Sequence, residues 1–105
     1  MVVKESGFNE KKDRLEVVLT GEIDIYSADE LKDKLQQIAK EHPDKDMFID
    51  AQNLQYIDST GLGVLIGILK ILKANGKNII ISKPKDNVKK VLEITNLNRI
   101  FNVIL

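Results

Sequence analysis

The first part of the chain shows the alternation of a β-strand. Every second residue from Leu15 to Leu19 is a large aliphatic residue, and this period of two is typical of a strand with one buried face. Gly21 ends the pattern. Residues 2–8 are predicted to form a partner strand, joined to it by a hairpin turn over residues 9–13, where asparagine and aspartate favour a turn.

A helix is predicted after this hairpin. Ser27 is followed three residues later by Glu30, the arrangement of a capping box in which two side chains satisfy free N–H groups of the first helical turn. Apolar residues then recur at helical spacing from Leu31 to Ile38. The helix is expected to stop before Pro43, because proline cannot continue the backbone hydrogen bonding.

The rest of the chain alternates between strands and helices. Three isoleucines in a row, at positions 79–81, indicate a strand buried on both faces, and Gly76 is placed to cap the preceding helix in the left-handed conformation. The predicted segments are strands over 47–51, 78–82 and 102–105, and helices over 60–75 and 86–95. Strands first and strand–helix alternation afterwards predict an α/β domain with a mixed sheet. No linker or repeat interrupts it, so residues 1–105 are expected to form one domain.

Composition narrows the function classes. The 105 residues include 16 basic and 16 acidic ones, a balance that argues against a nucleic-acid or membrane partner held by bulk charge. The absence of cysteine and the presence of one histidine, His42, leave no thiolate or imidazole cluster for a metal. The longest apolar run, residues 61–69, is far below the ~18 residues that span a bilayer. A soluble cytoplasmic domain without metal or cofactor is therefore expected.

The most informative stretch is Asp58-Ser59-Thr60-Gly61-Leu62-Gly63, which follows a predicted strand and opens the longest predicted helix. At such a turn the first backbone N–H groups of the helix have no intrahelical partners and the helix dipole is positive. A small hydroxyl residue there can cap the helix, act as a nucleophile or accept a phosphate. The pattern alone leaves these three roles for Ser59 open.

Two catalytic or nucleotide-binding readings of this turn have weak support. A serine-hydrolase elbow needs glycine two residues before the nucleophile, where this chain has Ile57, and His42 is expected to be a solvated residue at a helix end. Gly61 and Gly63 are followed by Gly67, which misses the Gly-x-Gly-x-x-Gly fingerprint by one position. Nucleotide binding therefore remains a weak alternative.

Side chains near this turn have two possible uses. Leu62 and Ile66 lie at the border of the apolar face of the central helix, so they either fill a gap in the core or form an exposed docking patch beside Ser59. Carboxylates such as Asp24 and Asp58 can do acid–base work or hold Mg²⁺, but acids in turns that lead into helices more often cap backbone N–H groups. The capping role is favoured.

Three motifs in the same order resemble a known family. They are Gly-Glu-Ile-Asp-Ile-Tyr-Ser-Ala at 21–28, Tyr-Ile-Asp-Ser-Thr-Gly-Leu-Gly-Val at 56–64, and Leu-x-x-Thr-x-Leu-x-x-Ile-Phe at 92–101. Together they span most of the chain and resemble the STAS family, most closely its bacterial anti-sigma factor antagonists. The resemblance implies the STAS fold, with a mixed sheet of four to five strands and helices packed mainly on one side.

The resemblance also implies a switch rather than an enzyme. The unphosphorylated protein is expected to bind a serine kinase that is also the anti-sigma factor, which frees the sigma factor. Phosphorylation at Ser59 ends this binding, and a PPM-type phosphatase reverses it. The surface expected to contact the partner comprises Asp24, Asp58, Ser59, Thr60, Gly61, Leu62, Gly63 and Ile66. A structural STAS subunit of a larger signalling or lipid-transport complex is the alternative.

Overall fold

A computed structural model describes residues 2–105 and shows five strands, three α-helices and one short 3-10 helix over that range. The elements in chain order are β1 Val3–Asn9, β2 Arg14–Ile23, α1 Ala28–Glu41, β3 Met47–Ile57, α2 Ser59–Lys73, β4 Ile79–Ser82, α3 Asp86–Ile94, the 3-10 turn Leu97–Arg99, and β5 Asn102–Ile104. The predicted α/β class and the mixed sheet are confirmed.

The strands lie in the sheet in the order in which they occur in the chain, β1-β2-β3-β4-β5. The β1–β2 pair is antiparallel, and the other pairs are parallel. Two rows of residues cross the three central strands: Leu15–Met47–Ile79 and Val17–Ile49–Ile81. All of these side chains are buried. Because residues in register point to the same face of a sheet, this face forms one side of the core.

The opposite face of the sheet is only partly covered. Val18, Phe48 and Ile80 alternate with the core residues and are partly exposed. The guanidinium carbon of Arg14 lies 3.8 Å from the centre of the Phe48 ring, which shields some of this apolar surface. The prediction that the isoleucine strand is buried on both faces is therefore wrong, because the buried apolar residues of all three helices join the core on the other face.

β2 and β3 are longer than predicted. The sequence pattern ended them at residues 21 and 51, whereas they continue to Ile23 and Ile57. The pairing shifts register between Val18 and Thr20 and again between Gly21 and Glu22. Such irregularities break the period of two that identifies a strand. Beyond these irregularities both strands continue to the end of the sheet at which α1 and α2 begin.

The first turn of α1 is not a capping box. The Ser27 side chain makes no cap hydrogen bond, and its hydroxyl instead donates to the carbonyl of Glu22 at 3.0 Å. The Glu30 carboxylate accepts from the backbone N–H groups of Val2, at 2.9 Å, and Val3, at 3.3 Å. Glu30 therefore ties the start of β1 to α1, a long-range contact that local spacing does not reveal.

The helix ends agree more closely with the sequence pattern. Gly76 has φ +72°, the left-handed conformation predicted for it, but α2 ends at Lys73 with Ala74 as its C-cap, two residues before the predicted end. His42 ends α1, as expected, but its ring stacks on Phe8 with 4.7 Å between ring centroids and is partly buried rather than solvated. Within residues 2–105, none of the helices is long and apolar enough to cross a membrane.

Candidate functional site

The candidate site lies where β2 and β3 end side by side. Ile23 and Ile57 are in register in the parallel pair, and the N–H of Asp58 donates to the carbonyl of Ile23 at 3.0 Å. This bond joins the start of α2 to the turn that follows β2. Two segments that are more than thirty residues apart in the chain, around Asp24 and around Ser59, therefore form one surface.

Asp58 caps α2. Its backbone is extended, with φ −101° and ψ −176°, and its carboxylate accepts a hydrogen bond from the N–H of Gly61 at 3.0 Å. The helix therefore begins at Ser59, one residue earlier than predicted. Since Asp58 occupies the cap position, the capping role considered for Ser59 is excluded.

Ser59 is the first residue of α2 and is exposed. Within residues 2–105 its hydroxyl makes no side-chain hydrogen bond. His42 stacks on Phe8 at the far end of α1, a 14-residue helix and thus about 20 Å long. The hydroxyl is open to an external enzyme, and a phosphate on it would lie beside the unpaired N–H groups of a helix N-terminus.

Asp24 shapes the turn between β2 and α1. Its Oδ1 accepts from the N–H groups of Tyr26 at 2.9 Å and Ser27 at 3.2 Å, while the Asp24 N–H donates to the Ser27 hydroxyl at 3.0 Å. The favoured expectation, that this acid caps backbone groups, agrees with these contacts. The network holds the turn in one conformation beside Ser59.

Three large side chains at this edge were missed by the sequence reasoning. Tyr26 is 93% exposed, Ile25 is 68% exposed and Tyr56 is 46% exposed. Tyr56 lies opposite Glu22 at the end of β3, and the other two lie in the turn shaped by Asp24. We call Ile25, Tyr26 and Tyr56 the apolar rim. Its signal in the sequence is two large apolar residues within a tight turn, where packing does not require them.

Gly61 allows α2 to lie directly on the two strand ends. A Cβ atom at this position would be 2.5 Å from Cγ2 of Ile23 and 2.8 Å from Cγ1 of Ile57. Any side chain would therefore push the first turn of the helix away from the sheet. At Gly63 the same test finds no atom within 4 Å, so Gly63 and the exposed Thr60 leave open space next to Ser59.

Leu62 and Ile66 do not form the exposed patch that the sequence allowed. Leu62 is only 5% exposed and belongs to the core. Ile66 is partly buried and packs against the same core. The core-filling alternative is therefore correct for Leu62, because α2 is covered on this side by its neighbours. Next to this position a groove of about 440 Å³ runs between α1 and α2, lined by Lys32, Gln36, Thr60, Gly63, Val64, Gly67 and Ile68.

A family model of the STAS domain matches residues 8–105. A relative in Staphylococcus aureus, named anti-sigma-B factor antagonist, is 35% identical over 88 residues, which are 84% of this chain and 81% of the relative. The chain belongs to the STAS domain family, among its anti-sigma factor antagonists. The matched residues of this STAS domain include the whole strand-to-helix turn at Ser59.

Solved structures agree with this assignment. A crystal structure of a proposed anti-sigma factor antagonist from Thermotoga maritima aligns with a TM-score of 0.80 and 26% identity, over 96% of this chain and 85% of the other. The Bacillus anti-sigma factor antagonist SpoIIAA in its unphosphorylated form aligns with a TM-score of 0.75 and 18% identity, over 94% of this chain and 87% of the other. At that identity the second likeness shows a shared fold.

Proposed function

We propose that this STAS domain is an anti-sigma factor antagonist whose binding is controlled by phosphorylation of Ser59. The observation that carries the proposal is the exposed, unbonded hydroxyl of Ser59 at the first position of α2. It lies on the same surface as the apolar rim. The names of the relatives support an anti-sigma factor as the partner, and SpoIIAA, a protein of the same fold, is known in a phosphorylated form.

The unphosphorylated surface has the features of a protein interface. Aromatic side chains are enriched at the centres of interfaces, where a few anchors supply most of the binding energy. Tyr26 and Tyr56 are such anchors in this proposal, and the Asp24 network fixes the backbone of Tyr26. In this proposal the partner covers Ser59, Thr60 and Gly63 and packs against the apolar rim.

Phosphorylation would end this binding by changing the surface. A phosphate adds about 1.5–2 negative charges at pH 7. The helix N-terminus tolerates this charge within the free protein. At an interface the same charge must lose its hydration beside the carboxylates of Asp24 and Asp58, and this costs binding energy.

The partner is proposed to be a serine kinase that is also the anti-sigma factor, so that binding releases a sigma factor. A PPM-type serine phosphatase would return Ser59 to its free state. This STAS domain would then be a cytoplasmic regulator and a substrate of catalysis, not an enzyme. Residues 2–105 contain no cluster of three or more acidic, histidine or cysteine side chains placed to hold a metal ion, and the proposal requires no metal or cofactor in the domain.

The test is incubation of the purified protein with the cognate kinase and ATP, followed by intact-mass and peptide mass spectrometry. One phosphate is expected, on Ser59, and Ser59→Ala should remain unmodified while still binding the kinase. Ser6→Ala, which changes an exposed serine of β1, is the matched control and should be phosphorylated normally. Phosphate on Thr60 or Ser27 would overturn the assignment of Ser59. Stable binding to a partner that never phosphorylates the domain would favour a structural STAS subunit instead.

A further inference from the structure

Charge is unevenly distributed along this neutral chain. Residues 70–105 contain eight lysines and arginines but only two acids, a net charge of +6, whereas residues 1–69 contain eight basic and fourteen acidic residues, a net charge of −6. The overall balance of zero therefore hides two poles of opposite sign, and a local field of this size acts on an approaching partner.

The fold keeps these two poles apart. Sheet order follows chain order, so β4 and β5 lie at one edge with α3, while β1 and β2 lie at the other. Half of the eight basic residues of the C-terminal third are on α3 or in the loop before it. We call Lys83, Lys85, Lys89 and Lys90 the basic flank; all are exposed except Lys89, which is partly buried.

The lysines of the basic flank form no ion pair within residues 2–105, although Asp86 and Glu93 lie on α3 four residues from Lys90 and Lys89. The ion pairs of the described residues join Arg14 to Glu16 and Lys45 to Asp13 and Asp44. Across residues 2–105, none of the cations from Lys70 onward takes part in an ion pair. Four lysines outnumber the two acids of α3, and because they form no ion pair they are available to an external anion.

The basic flank borders the surface around Ser59. The Asn87 side chain, in the first turn of α3, donates a hydrogen bond to the carbonyl of Gln55 at 2.7 Å. Gln55 lies in β3, four residues before Ser59 at the start of α2. The other side of Ser59 carries the carboxylates of Glu22 and Asp24, so the site lies between a basic and an acidic region.

We propose that the basic flank steers an acidic patch of the anti-sigma factor onto the Ser59 surface. This rests on the proposed function and adds the charge that the partner must carry opposite α3. A folded protein can present acidic groups to α3 and neutral or basic groups to Asp24 at the same time. A nucleic acid or an anionic membrane is negative throughout, and the carboxylates beside Ser59 would repel it.

Steering has a kinetic signature. Charges at the border of an interface change the association rate constant and its dependence on salt, whereas buried anchors change the dissociation rate constant. The triple variant Lys85→Glu, Lys89→Glu, Lys90→Glu should therefore associate with the purified anti-sigma factor at least about tenfold more slowly at low salt. At about 0.5 M salt, where charges are screened within a few ångströms, the variant and the wild type should associate at similar rates.

The matched control is Lys11→Glu, Lys12→Glu, Lys34→Glu, which makes the same change in net charge on exposed residues of the hairpin turn and α1. It should keep most of the wild-type association rate. Melting curves check that both triple variants fold. If the α3 triple variant does not fold, the single variants Lys85→Glu and Lys90→Glu replace it, and each is expected to slow association severalfold.

Equal slowing by both triple variants, or slower association that persists at high salt, would overturn the steering proposal. So would competition by a single-stranded oligonucleotide or by phosphatidylserine vesicles at concentrations near those of the partner. If the wild type does not bind the anti-sigma factor, the proposed function fails, and this inference fails with it. Wild-type binding with an unaffected triple variant refutes only the inference.

Discussion

The Asp58 carboxylate accepts a hydrogen bond from the backbone N–H of Gly61 at 3.0 Å, and this contact determines where α2 begins. It makes Asp58 the cap and Ser59 the first helical residue. The two partners of this hydrogen bond have different requirements. Asp58 must have a short side chain that accepts a hydrogen bond, whereas Gly61 must have no side chain at all.

The cap should contribute measurably to stability. Asp58→Ala removes the acceptor and should lower the free energy of unfolding by about 1 kcal/mol, or roughly 4–8 °C in melting temperature at this size. Asp58→Asn retains an oxygen acceptor and should lose only a few tenths of this amount. The measurement is thermal unfolding of both variants. Equal loss in both would mean that the charge of Asp58, and not its hydrogen bond, stabilises the helix.

Gly61 and Gly63 should respond in opposite ways to the same substitution. Gly61→Ala places a methyl group against Ile23 and Ile57, and overpacking of this kind costs about 1–3 kcal/mol. Gly63→Ala meets no atom within 4 Å, and alanine in a helix is favoured over glycine by about 0.5–1 kcal/mol. Urea unfolding of the pair measures the difference directly. A stable Gly61→Ala variant would show that the strand ends can move to accommodate the methyl group.

Substitutions in the apolar rim should affect binding, whereas substitutions in the core should affect stability. Tyr26→Ala should melt within a few degrees of the wild type, because this side chain is exposed. It should weaken binding to the anti-sigma factor at least tenfold, or about 1.4 kcal/mol. Leu62→Ala should do the reverse and destabilise the fold by about 2–5 kcal/mol. Calorimetric melting and a binding titration of each variant give the comparison. Unchanged binding by Tyr26→Ala would remove Tyr26 from the interface.

Phosphorylation should change the surface and leave the fold alone. A negative charge at a helix N-terminus favours the helix by about 0.3–1 kcal/mol, and repulsion from Asp24 and Asp58, which salt screens, opposes it. The phosphorylated and free proteins should therefore melt within a few degrees of each other. Amide exchange across residues 50–76 should be similar in both. Loss of protection throughout α2 would show that phosphate acts by unfolding the helix.

Acid should weaken one hydrogen-bonded network far from the site. The Asn9 amide, at 2.7 Å, and the Arg14 guanidinium lower the pKa of Glu16. A carboxyl group with a lowered folded-state pKa stabilises the protein above its unfolded pKa of about 4.3, and this contribution is lost as the pH falls through the lower value. Glu16→Gln should therefore be less stable than wild type at pH 7, by less than about 1 kcal/mol because the group is near the surface.

The control for this network is the same comparison at about pH 2.5, below the unfolded pKa of glutamate. As the pH falls through the lowered folded-state pKa, the wild-type carboxyl group becomes protonated, and the difference between the wild type and Glu16→Gln should shrink toward zero. A difference of constant size at both pH values would show that Glu16 stabilises the protein by packing and not by ionisation.

Local patterns in the sequence were sufficient to place most elements. Alternation identified β2, helical spacing identified α1, and Gly76 marked the turn that follows α2. These features depend on residues close together in the chain, such as a glycine that adopts a positive φ or a proline that cannot donate a hydrogen bond. The position of Ser59 between a strand and a helix was also local information, and with the motifs around it the family could be predicted.

Contacts between distant residues were decided only by the tertiary structure. Glu30 has the spacing of a capping box, yet it binds the start of β1, because the packing of α1 beside that strand offers it other donors. Leu62 lies at the edge of an apolar helical face, and only the position of the neighbouring elements decides that it is buried. The turn that holds Tyr26 and the end of β3 that holds Tyr56 are neighbours because two parallel strands end in register, a relationship that no local spacing records.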